Sequence, residues 1–336
     1  MLIDSFGRTL DYLRVSVTDR CNLRCIYCMP SDGVEHQSHE AILRFEEAHR
    51  FCRVVANLGI RRIKITGGEP LVRKGVVPFI RALTAIPGIE QVTLTTNGIL
   101  LDRHLDELAA AKVAGINVSL DTLNPETFRR LTRLRSGDPS ASAAPAVIVK
   151  TMERARSLGI PVKVNCVPLR GINEGELARI AALAEKTVDA VRFIELMPLG
   201  YAAGREPIPG GEVRTILERC SLLLCPTAEC SGNGPATYFA VPGYSGRIGF
   251  INAVSQGFCE TCNRLRLTPD GQLKPCLASG TAWDLRTLLR TGAADSQIAE
   301  AVTQAAAMKP AGHWFSAITD RSPENCKDTA MFRIGG

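Results

Sequence analysis

One local pattern recurs six times between Leu13 and Pro198: a short run rich in β-branched residues, a turn, and a stretch with helical spacing of apolar residues. A βα repeat of this kind folds as a parallel sheet with right-handed crossovers and helices along one side. The predicted strands are Leu13–Thr18, Arg62–Thr66, Val92–Asn97, Asn117–Asp121, Val162–Val167 and Val191–Leu196. The repeat therefore predicts an α/β fold, an incomplete barrel of the (β/α)6 type.

The predicted strands alternate apolar and polar residues, whereas the strands of an ordinary closed barrel are apolar on both faces. The polar residues expected on the inner face include Arg14, Arg62, Lys64, Thr95, Asn97, Asn117, Ser119, Asp121, Lys163, Asn165 and Arg192. Buried polar groups without partners are costly, so this face is expected to be wide and to hold polar ligands. Five cations against the single anion Asp121 favour an anionic ligand. The alternative is the solvated face of an open sheet.

The chain changes character after Pro198, where loops rich in Gly and Pro precede short strands of the antiparallel type. The predicted strands here are Thr237–Ala240, Arg247–Asn252, and a hairpin of Arg264–Thr268 and Gln272–Lys274 that turns at Pro269–Gly271. We therefore expect a barrel region over residues 1–198 and an α+β extension over residues 199–336.

Three cysteines, Cys21, Cys25 and Cys28, follow the first strand directly, where a barrel places its catalytic loops. A cubane iron–sulfur cluster usually takes four cysteines, so three thiolates would leave one iron open to an outside ligand. Zinc is the alternative, although a zinc site normally closes with a fourth Cys or His at short spacing.

A second group, Cys259, Cys262 and Cys276, lies in the extension. The predicted hairpin turn would return Cys276 to the side of Cys262, as a shared cluster requires. A structural zinc knuckle completed by a distant residue is the alternative.

The 12 cysteines also bear on location, because Met1 to Arg8 contains neither a secretory signal nor a membrane span. A cytoplasmic chain keeps its thiols reduced, so metal ligation explains the clustering better than disulfides do. The net charge of +6 is modest, and the basic residues are scattered, which argues against nucleic acid and membrane partners.

The residues from Leu13 to Pro30 resemble the signature of the radical S-adenosylmethionine (SAM) superfamily, and Thr66–Pro70 is similar to its GGEP element. The resemblance implies that Cys21, Cys25 and Cys28 bind a [4Fe-4S] cluster whose open iron holds the amino and carboxylate groups of SAM. It also implies that the GGEP element holds the methionine moiety.

Both cysteine groups, their order and their flanks resemble the GTP 3′,8-cyclase (MoaA) family, and the similarity runs almost end to end, from Asp4–Arg8 to Gly335 and Gly336. That family catalyses the first step of molybdenum cofactor biosynthesis. The resemblance implies two [4Fe-4S] clusters, SAM, and the conversion of GTP to (8S)-3′,8-cyclo-7,8-dihydroguanosine 5′-triphosphate. It further implies a di-glycine tail that reaches the active site.

The same resemblance assigns roles to individual residues. Those matching SAM-binding positions are Tyr27, Gly68, Ser119 and Met197. Those expected to bind GTP are Arg14, Lys64, Thr95, Lys163, Arg192, Arg264, Leu265 and Arg266, of which Arg264 and Arg266 are the expected catalytic residues. The second cluster, held by Cys259, Cys262 and Cys276, is expected to bind the guanine base.

The expected partners are an external electron donor of the flavodoxin kind and a cyclic pyranopterin monophosphate synthase that takes the product, and the expected assembly is a homodimer. Two other interpretations of the function remain open. A two-cluster radical SAM enzyme that modifies peptides would share the first motif but generally has more C-terminal cysteines. A zinc-stabilised binding module would share the cysteine groups alone.

Overall fold

The computed structural model describes residues 1–134, 144–202, 205–228, 234–313, 315 and 331–334. Its strands are β1 (Tyr12–Ser16), β2 (Arg62–Thr66), β3 (Gln91–Thr96), β4 (Gly115–Ser119), β5 (Val162–Cys166), β6 (Ala190–Ile194), β7 (Cys225–Pro226), β8 (Thr237–Ala240), β9 (Arg247–Ile251), β10 (Arg264–Leu267), β11 (Gln272–Lys274) and β12 (Trp283–Asp284). Its helices are α1 (Phe45–Leu58), α2 (Val76–Thr84), α3 (Leu101–Ala110), α4 (Pro125–Thr132), α5 (Ala144–Ser157), α6 (Leu177–Ala181), α7 (Leu183–Lys186), α8 (Gly210–Arg219), α9 (Leu285–Arg290), α10 (Asp295–Ala307) and α11 (Met331–Ile334).

The strands form one sheet in the order β12-β11-β10-β1-β2-β3-β4-β5-β6-β9-β8-β7. Strands β1 to β6 are parallel neighbours in sequence order. Within the described ranges no strand pairing joins β7 to β12, so the sheet curves without closing. The predicted incomplete α/β barrel is confirmed.

The alternation of residues along the strands places one set in the core between sheet and helices. Leu13, Val15, Ile63 and Ile65 are at most 1% exposed and belong to the main hydrophobic cluster. Helix α1 buries its apolar stripe in the same cluster and ends at Gly59, whose φ of 111° lies in the left-handed region. No helix in the described part of the chain is long and apolar enough to cross a membrane.

The first six strands lie close to their predicted positions. The range Arg62–Thr66 is reproduced by β2, and the other five predicted strands run one or two residues beyond the observed carboxyl ends. At these ends the chain leaves the sheet for the loops of the site, although its sequence still alternates.

The strands after residue 198 extend both edges of the same sheet. Strand β10 pairs parallel to β1, with Arg266 opposite Arg14, and antiparallel to β11 as the predicted hairpin requires. The hairpin turns at Gly271, which has a φ of 81°. At the other edge β9 pairs parallel to β6 and antiparallel to β8. The second cysteine group thus lies at the amino end of β10, level with Tyr12, whereas the first group follows the carboxyl end of β1.

Candidate active site

A cavity of about 330 Å³ extends along the inner face of the sheet, from the loops after the carboxyl ends of the parallel strands to Tyr12 and Arg264 at the amino ends of β1 and β10. All six clustered cysteines line it: Cys21, Cys25, Cys28, Cys259, Cys262 and Cys276. The expected SAM residues Tyr27, Gly68, Ser119 and Met197 also line it, as do Arg14, Lys64, Thr95, Arg192, Arg264 and Arg266 from the expected GTP set. Lys163 and Leu265 are not among the lining residues, and the Leu265 side chain lies in the hydrophobic core.

The loop of the first cysteine group is attached to the end of β2 by backbone hydrogen bonds. Gly68 N donates to Thr18 O at 2.7 Å, and Glu69 N donates to Arg20 O at 2.8 Å. A Cβ atom on Gly68 would lie 2.4 Å from Arg20 O, which is closer than non-bonded atoms approach. The glycine is therefore required for the contact between the GGEP element and the cysteine loop.

Glu69 connects this contact to the next strand. Its buried carboxylate accepts from Leu71 N at 3.1 Å, from Thr96 Oγ1 at 2.8 Å and from Asn97 N at 2.7 Å. Burial raises the pKa of Glu69 to about 7 although these three donors oppose the rise. The Asn97 side chain in turn donates to Asn22 Oδ1 at 2.8 Å, within the cysteine loop.

Asp121 and Tyr27 meet across the cavity. The Tyr27 hydroxyl donates to Asp121 Oδ2 at 2.6 Å, and Val167 N donates to Asp121 Oδ1 at 2.8 Å. Burial raises the pKa of Asp121 to about 6, against the effect of both donors. The pair fixes the aromatic residue that precedes Cys28.

The inner face concentrates positive charge, as the sequence predicted. Burial lowers the pKa of Lys64 well below its ordinary value, and the nearby charges of Arg192, Arg14, Lys163 and Arg264 lower it further. Burial likewise lowers the pKa of Lys163 to about 8, with Arg192 adding to the effect. Like charges held this close favour an anionic ligand between them.

Arg192 is held in place by two asparagines from neighbouring strands. Its Nε and Nη2 donate to Asn165 Oδ1 at 2.9 and 2.6 Å, and Nη2 also donates to Asn117 Oδ1. The Asn117 side-chain amide donates to Leu94 O at 3.2 Å. These bonds orient the guanidinium from β6 toward the cavity.

Two details of the predicted inner face are wrong. Arg62 forms an ion pair with Asp11 at 2.5 Å and does not line the cavity, although Tyr12 on β1 and Arg264 on β10, at the same level of the sheet, do. Asp121 is also not the single anion, because Glu195 lines the cavity as well. Glu195 Oε2 accepts from the backbone N–H groups of Val254 and Ser255 at 2.8 and 2.9 Å.

The second cysteine group begins with a short 3-10 turn, Cys259–Thr261, and continues into β10. Burial alone would raise the pKa of Cys262, but the charges of Arg264 and Lys309 lower it to about 7. By contrast, burial raises the pKa of Cys21 to about 11 and that of Cys28 to about 12. The positive charges of Arg264 and Lys309 thus lie beside Cys262.

Each cysteine group supplies three thiol side chains, a donor set that an iron–sulfur cluster can take with one iron left open. Among the described residues, no three Cys, His, Asp or Glu side chains are arranged as a metal site. The ten described cysteines are free thiols.

Three residues at the cavity were not foreseen from the sequence: Lys309, His313 and Phe315. Met331 and Phe332 also line it, and they belong to the tail that is expected to reach the active site. Phe332 packs against Met29, and its backbone N–H donates to the Cys28 thiol. Gly335 and Gly336 lie outside the described residues.

Comparison with known families agrees with this geometry. The family model described as the Radical SAM superfamily matches residues 15–184, and that described as Molybdenum Cofactor Synthesis C matches residues 189–315. A GTP 3′,8-cyclase of Heliobacterium modesticaldum is 46% identical over 93% of this chain and 94% of its own. One of Geobacter sulfurreducens is 44% identical over 100% of this chain and 99% of its own.

The chain belongs to the GTP 3′,8-cyclase family. As a GTP 3′,8-cyclase family member it also belongs to the radical SAM superfamily, which implies a [4Fe-4S] cluster and SAM. The three cysteines beside the GGEP element provide a donor set that fits this cluster.

The fold is shared with more distant proteins. The crystal structure of Streptococcus suis SuiB bound to S-adenosylmethionine superposes with a TM-score of 0.63 at 16% identity, covering 95% of this chain and 77% of that one. SuiB bound to precursor peptide SuiA gives a TM-score of 0.62 at 14% identity, covering 96% and 76%. At these identities the likeness shows the fold alone. The peptide bound to SuiB therefore gives no information about the substrate of this chain.

Proposed function

We propose that this protein is a radical SAM lyase that converts GTP to (8S)-3′,8-cyclo-7,8-dihydroguanosine 5′-triphosphate, the first step of molybdenum cofactor (molybdopterin) biosynthesis. The observation that carries the proposal is one cavity lined by both cysteine groups with a buried set of cations between them. The GTP 3′,8-cyclase name of relatives that match nearly the whole chain supports it.

Cys21, Cys25 and Cys28 would hold the first cluster and leave one position open for SAM. Cluster and SAM together supply, when bound, a carbon radical able to remove the 3′ hydrogen of GTP. The role of this chain is to place the reactants: Tyr27, Gly68, Ser119 and Met197 would surround SAM. The bonds from Glu69 and Asn97 hold the surrounding loops in position.

The cations would fix the triphosphate. Arg14, Lys64, Thr95 and Arg192 line the cavity from β1, β2, β3 and β6, and Lys163 on β5 adds its charge beside Arg192. Charge-assisted bonds to phosphate are stronger than neutral ones and orient the ribose against the reacting centre.

Cys259, Cys262 and Cys276 would hold a second [4Fe-4S] cluster whose open position takes the guanine base. Arg264 and Arg266 are the proposed catalytic residues on β10, with the backbone at Leu265 between them. Both side chains line the cavity, where Arg266 lies opposite Arg14 and Arg264 lies opposite Tyr12. Positive charge there would stabilise charge that develops on substrate as the C3′–C8 bond forms.

The finer features of the proposal follow from the same family. The reducing electron would come from an external donor of the flavodoxin kind, and a cyclic pyranopterin monophosphate synthase would take the product. The active form would be a homodimer in the cytoplasm.

An anaerobic assay tests the proposal. Reconstituted protein is incubated with SAM, dithionite and GTP, and 5′-deoxyadenosine and the cyclised nucleotide are measured by mass spectrometry. We expect both from the unsubstituted protein and neither from Cys25→Ala, which lacks a ligand of the first cluster. For Cys262→Ala we expect 5′-deoxyadenosine without cyclised nucleotide. Deoxyadenosine without any cyclised nucleotide from the unsubstituted protein would contradict the proposal and favour a peptide-modifying enzyme.

A further inference from the structure

Two buried cations from opposite ends of the chain hold the second cysteine group. Lys309 is 2% exposed and follows helix α10, whereas Arg8 is 9% exposed and precedes β1. Neither residue belongs to a cysteine motif or to the expected GTP set. Burying a charge is costly unless it is well bonded, so the partners of these cations matter.

The Lys309 ammonium uses its three N–H donors on the backbone and thiol of this group. It donates to Arg264 O at 2.8 Å and to Pro275 O at 2.7 Å, and it also donates to the Cys262 thiol. Pro275 immediately precedes Cys276. One ammonium thus connects the two arms that carry Cys262 and Cys276.

Arg8 holds the remaining cysteine but by a different kind of contact. Its Nη1 donates to Cys259 O at 2.7 Å and to Ala311 O at 3.0 Å, and its Nε pairs with Asp4 Oδ2 at 2.6 Å. The charge of Arg8 is therefore balanced by a carboxylate, and its bonds reach a carbonyl rather than a sulfur.

We propose that Lys309 is a positioning residue of the second cluster: it fixes the spacing of Cys262 and Cys276 and, as a cation bonded to a ligand sulfur, raises the reduction potential of that cluster. Potentials of iron–sulfur clusters rise with hydrogen bonds to their sulfurs and with neighbouring positive charge. The inference rests on the proposed second cluster. Arg8 would hold Cys259 in position without the effect on the potential.

The test isolates the second cluster by replacing Cys21, Cys25 and Cys28 with alanine in the full chain. In this background Lys309→Gln, Lys309→Arg and Arg8→Lys are compared with the exposed control Lys186→Gln. Iron and sulfide per chain, the reduction potential by dithionite titration with EPR detection, and the thermal unfolding of the cluster-free protein are measured.

For Lys309→Gln we expect less iron and, in the chains that keep it, a reduced-to-oxidised ratio about tenfold lower at the potential where the background protein is half reduced. Lys309→Arg keeps the charge and should restore most of both quantities. Arg8→Lys should lower iron retention and leave the potential unchanged. Lys186→Gln should alter neither.

An unchanged potential and iron content in Lys309→Gln would overturn the inference. Loss of the cluster in both Lys309→Arg and Lys309→Gln, with equal destabilisation of the cluster-free protein, would also overturn it. That result would show that Lys309 contributes only packing. If the background protein binds no iron, the proposal of a second cluster is wrong, and this inference with it. If the cluster behaves as expected but the enzyme with both clusters does not cyclise GTP, only the proposed function fails.

Discussion

Gly68 is the residue at which the smallest change should have a large effect. A Cβ atom there would lie 2.4 Å from Arg20 O, and this neighbour is backbone that cannot rotate away. We expect Gly68→Ala to lower the free energy of unfolding by about 1–3 kcal/mol and to reduce the iron bound by the first cysteine group. Denaturant unfolding and iron analysis measure the two effects.

The matched control is Gly211→Ala, because a Cβ atom at Gly211 meets no atom within 4 Å. Its stability and iron content should equal those of the unsubstituted protein or exceed them slightly, since Gly211 lies in helix α8. Equal behaviour of the two variants would show that the GGEP loop adapts to a side chain.

Glu69 gives the protein a pH dependence of known sign. Its pKa is about 7 in the folded protein, above the ordinary value of 4.5. Between these values the unfolded chain releases the proton while the folded protein keeps it, so stability is full below pH 4.5 and falls as pH rises to 7. The loss is roughly 3 kcal/mol at 1.36 kcal/mol per pKa unit.

Glu69→Gln removes this titration. Urea unfolding of the cluster-free protein at about pH 5 and pH 8 should therefore show a smaller decrease for the variant than for the unsubstituted protein. Other groups, Asp121 among them, titrate in both proteins and cancel in the comparison. If stability decreases equally in Glu69→Gln and in the unsubstituted protein, a group other than Glu69 causes the pH dependence.

At the residue scale, the sequence predicted which side chains face the cavity. It did not predict the hydrogen bonds that hold those side chains in place. Alternation along a strand shows that Arg14 and Lys64 share a face. It does not show that Arg192 is bonded by Asn165 and Asn117, because a shared face does not specify which side chains of β4, β5 and β6 bond to one another. It likewise does not show that Arg62 pairs with Asp11 instead of lining the cavity.

At the scale of elements, strands β2 and β5 each bring one lysine to the expected phosphate site, but only Lys64 lines the cavity. We expect Lys64→Ala to weaken GTP binding by roughly tenfold to a hundredfold, because a bond to a charged group is worth about 1.5–3 kcal/mol. Guanosine binding should change much less. Anaerobic titration calorimetry of both ligands measures the difference.

Lys163→Ala should have a smaller effect, since Lys163 acts beside Arg192 rather than from the cavity wall. Lys186→Ala is the control, because that side chain is 84% exposed. If Lys64→Ala weakens the binding of GTP and of guanosine equally, Lys64 does not bind the triphosphate.

The elements themselves were largely predictable, but their neighbours were not. Each strand from β1 to β6 has a local pattern that identifies it, and the turn at Gly271 has a local pattern as well. The pairing of β10 with β1 and of β9 with β6 joins strands from different regions of the chain. No local pattern records such a contact, so the sequence did not predict which strands of the barrel the extension pairs with.

At the scale of the whole molecule, the tail reaches the first cysteine group. Phe332 is 3% exposed and packs against Met29, whose backbone ends the cysteine loop. We expect deletion of Gly335 and Gly336 to leave folding, both clusters and much of the SAM cleavage intact while cyclised product nearly disappears. Phe332→Ala should, in addition, reduce SAM cleavage, because it opens the contact beside Cys28.

Product analysis by mass spectrometry separates the two variants, and a synthetic peptide of the tail sequence, added in excess, should restore part of the activity of the deletion. Full cyclisation by the deletion variant would show that the last residues are a frayed terminus without a role in the reaction.

The edge pairing of β1 also determines when this protein can finish folding. During synthesis β1 leaves the ribosome early, but the strand that covers its second edge, β10, is made near the far end of the chain. Until then the nascent sheet has two open edges, at β1 and at β6, and open edges pair readily with other chains. We expect translation that stops before β9 and β10 to release an aggregation-prone product rather than a smaller enzyme.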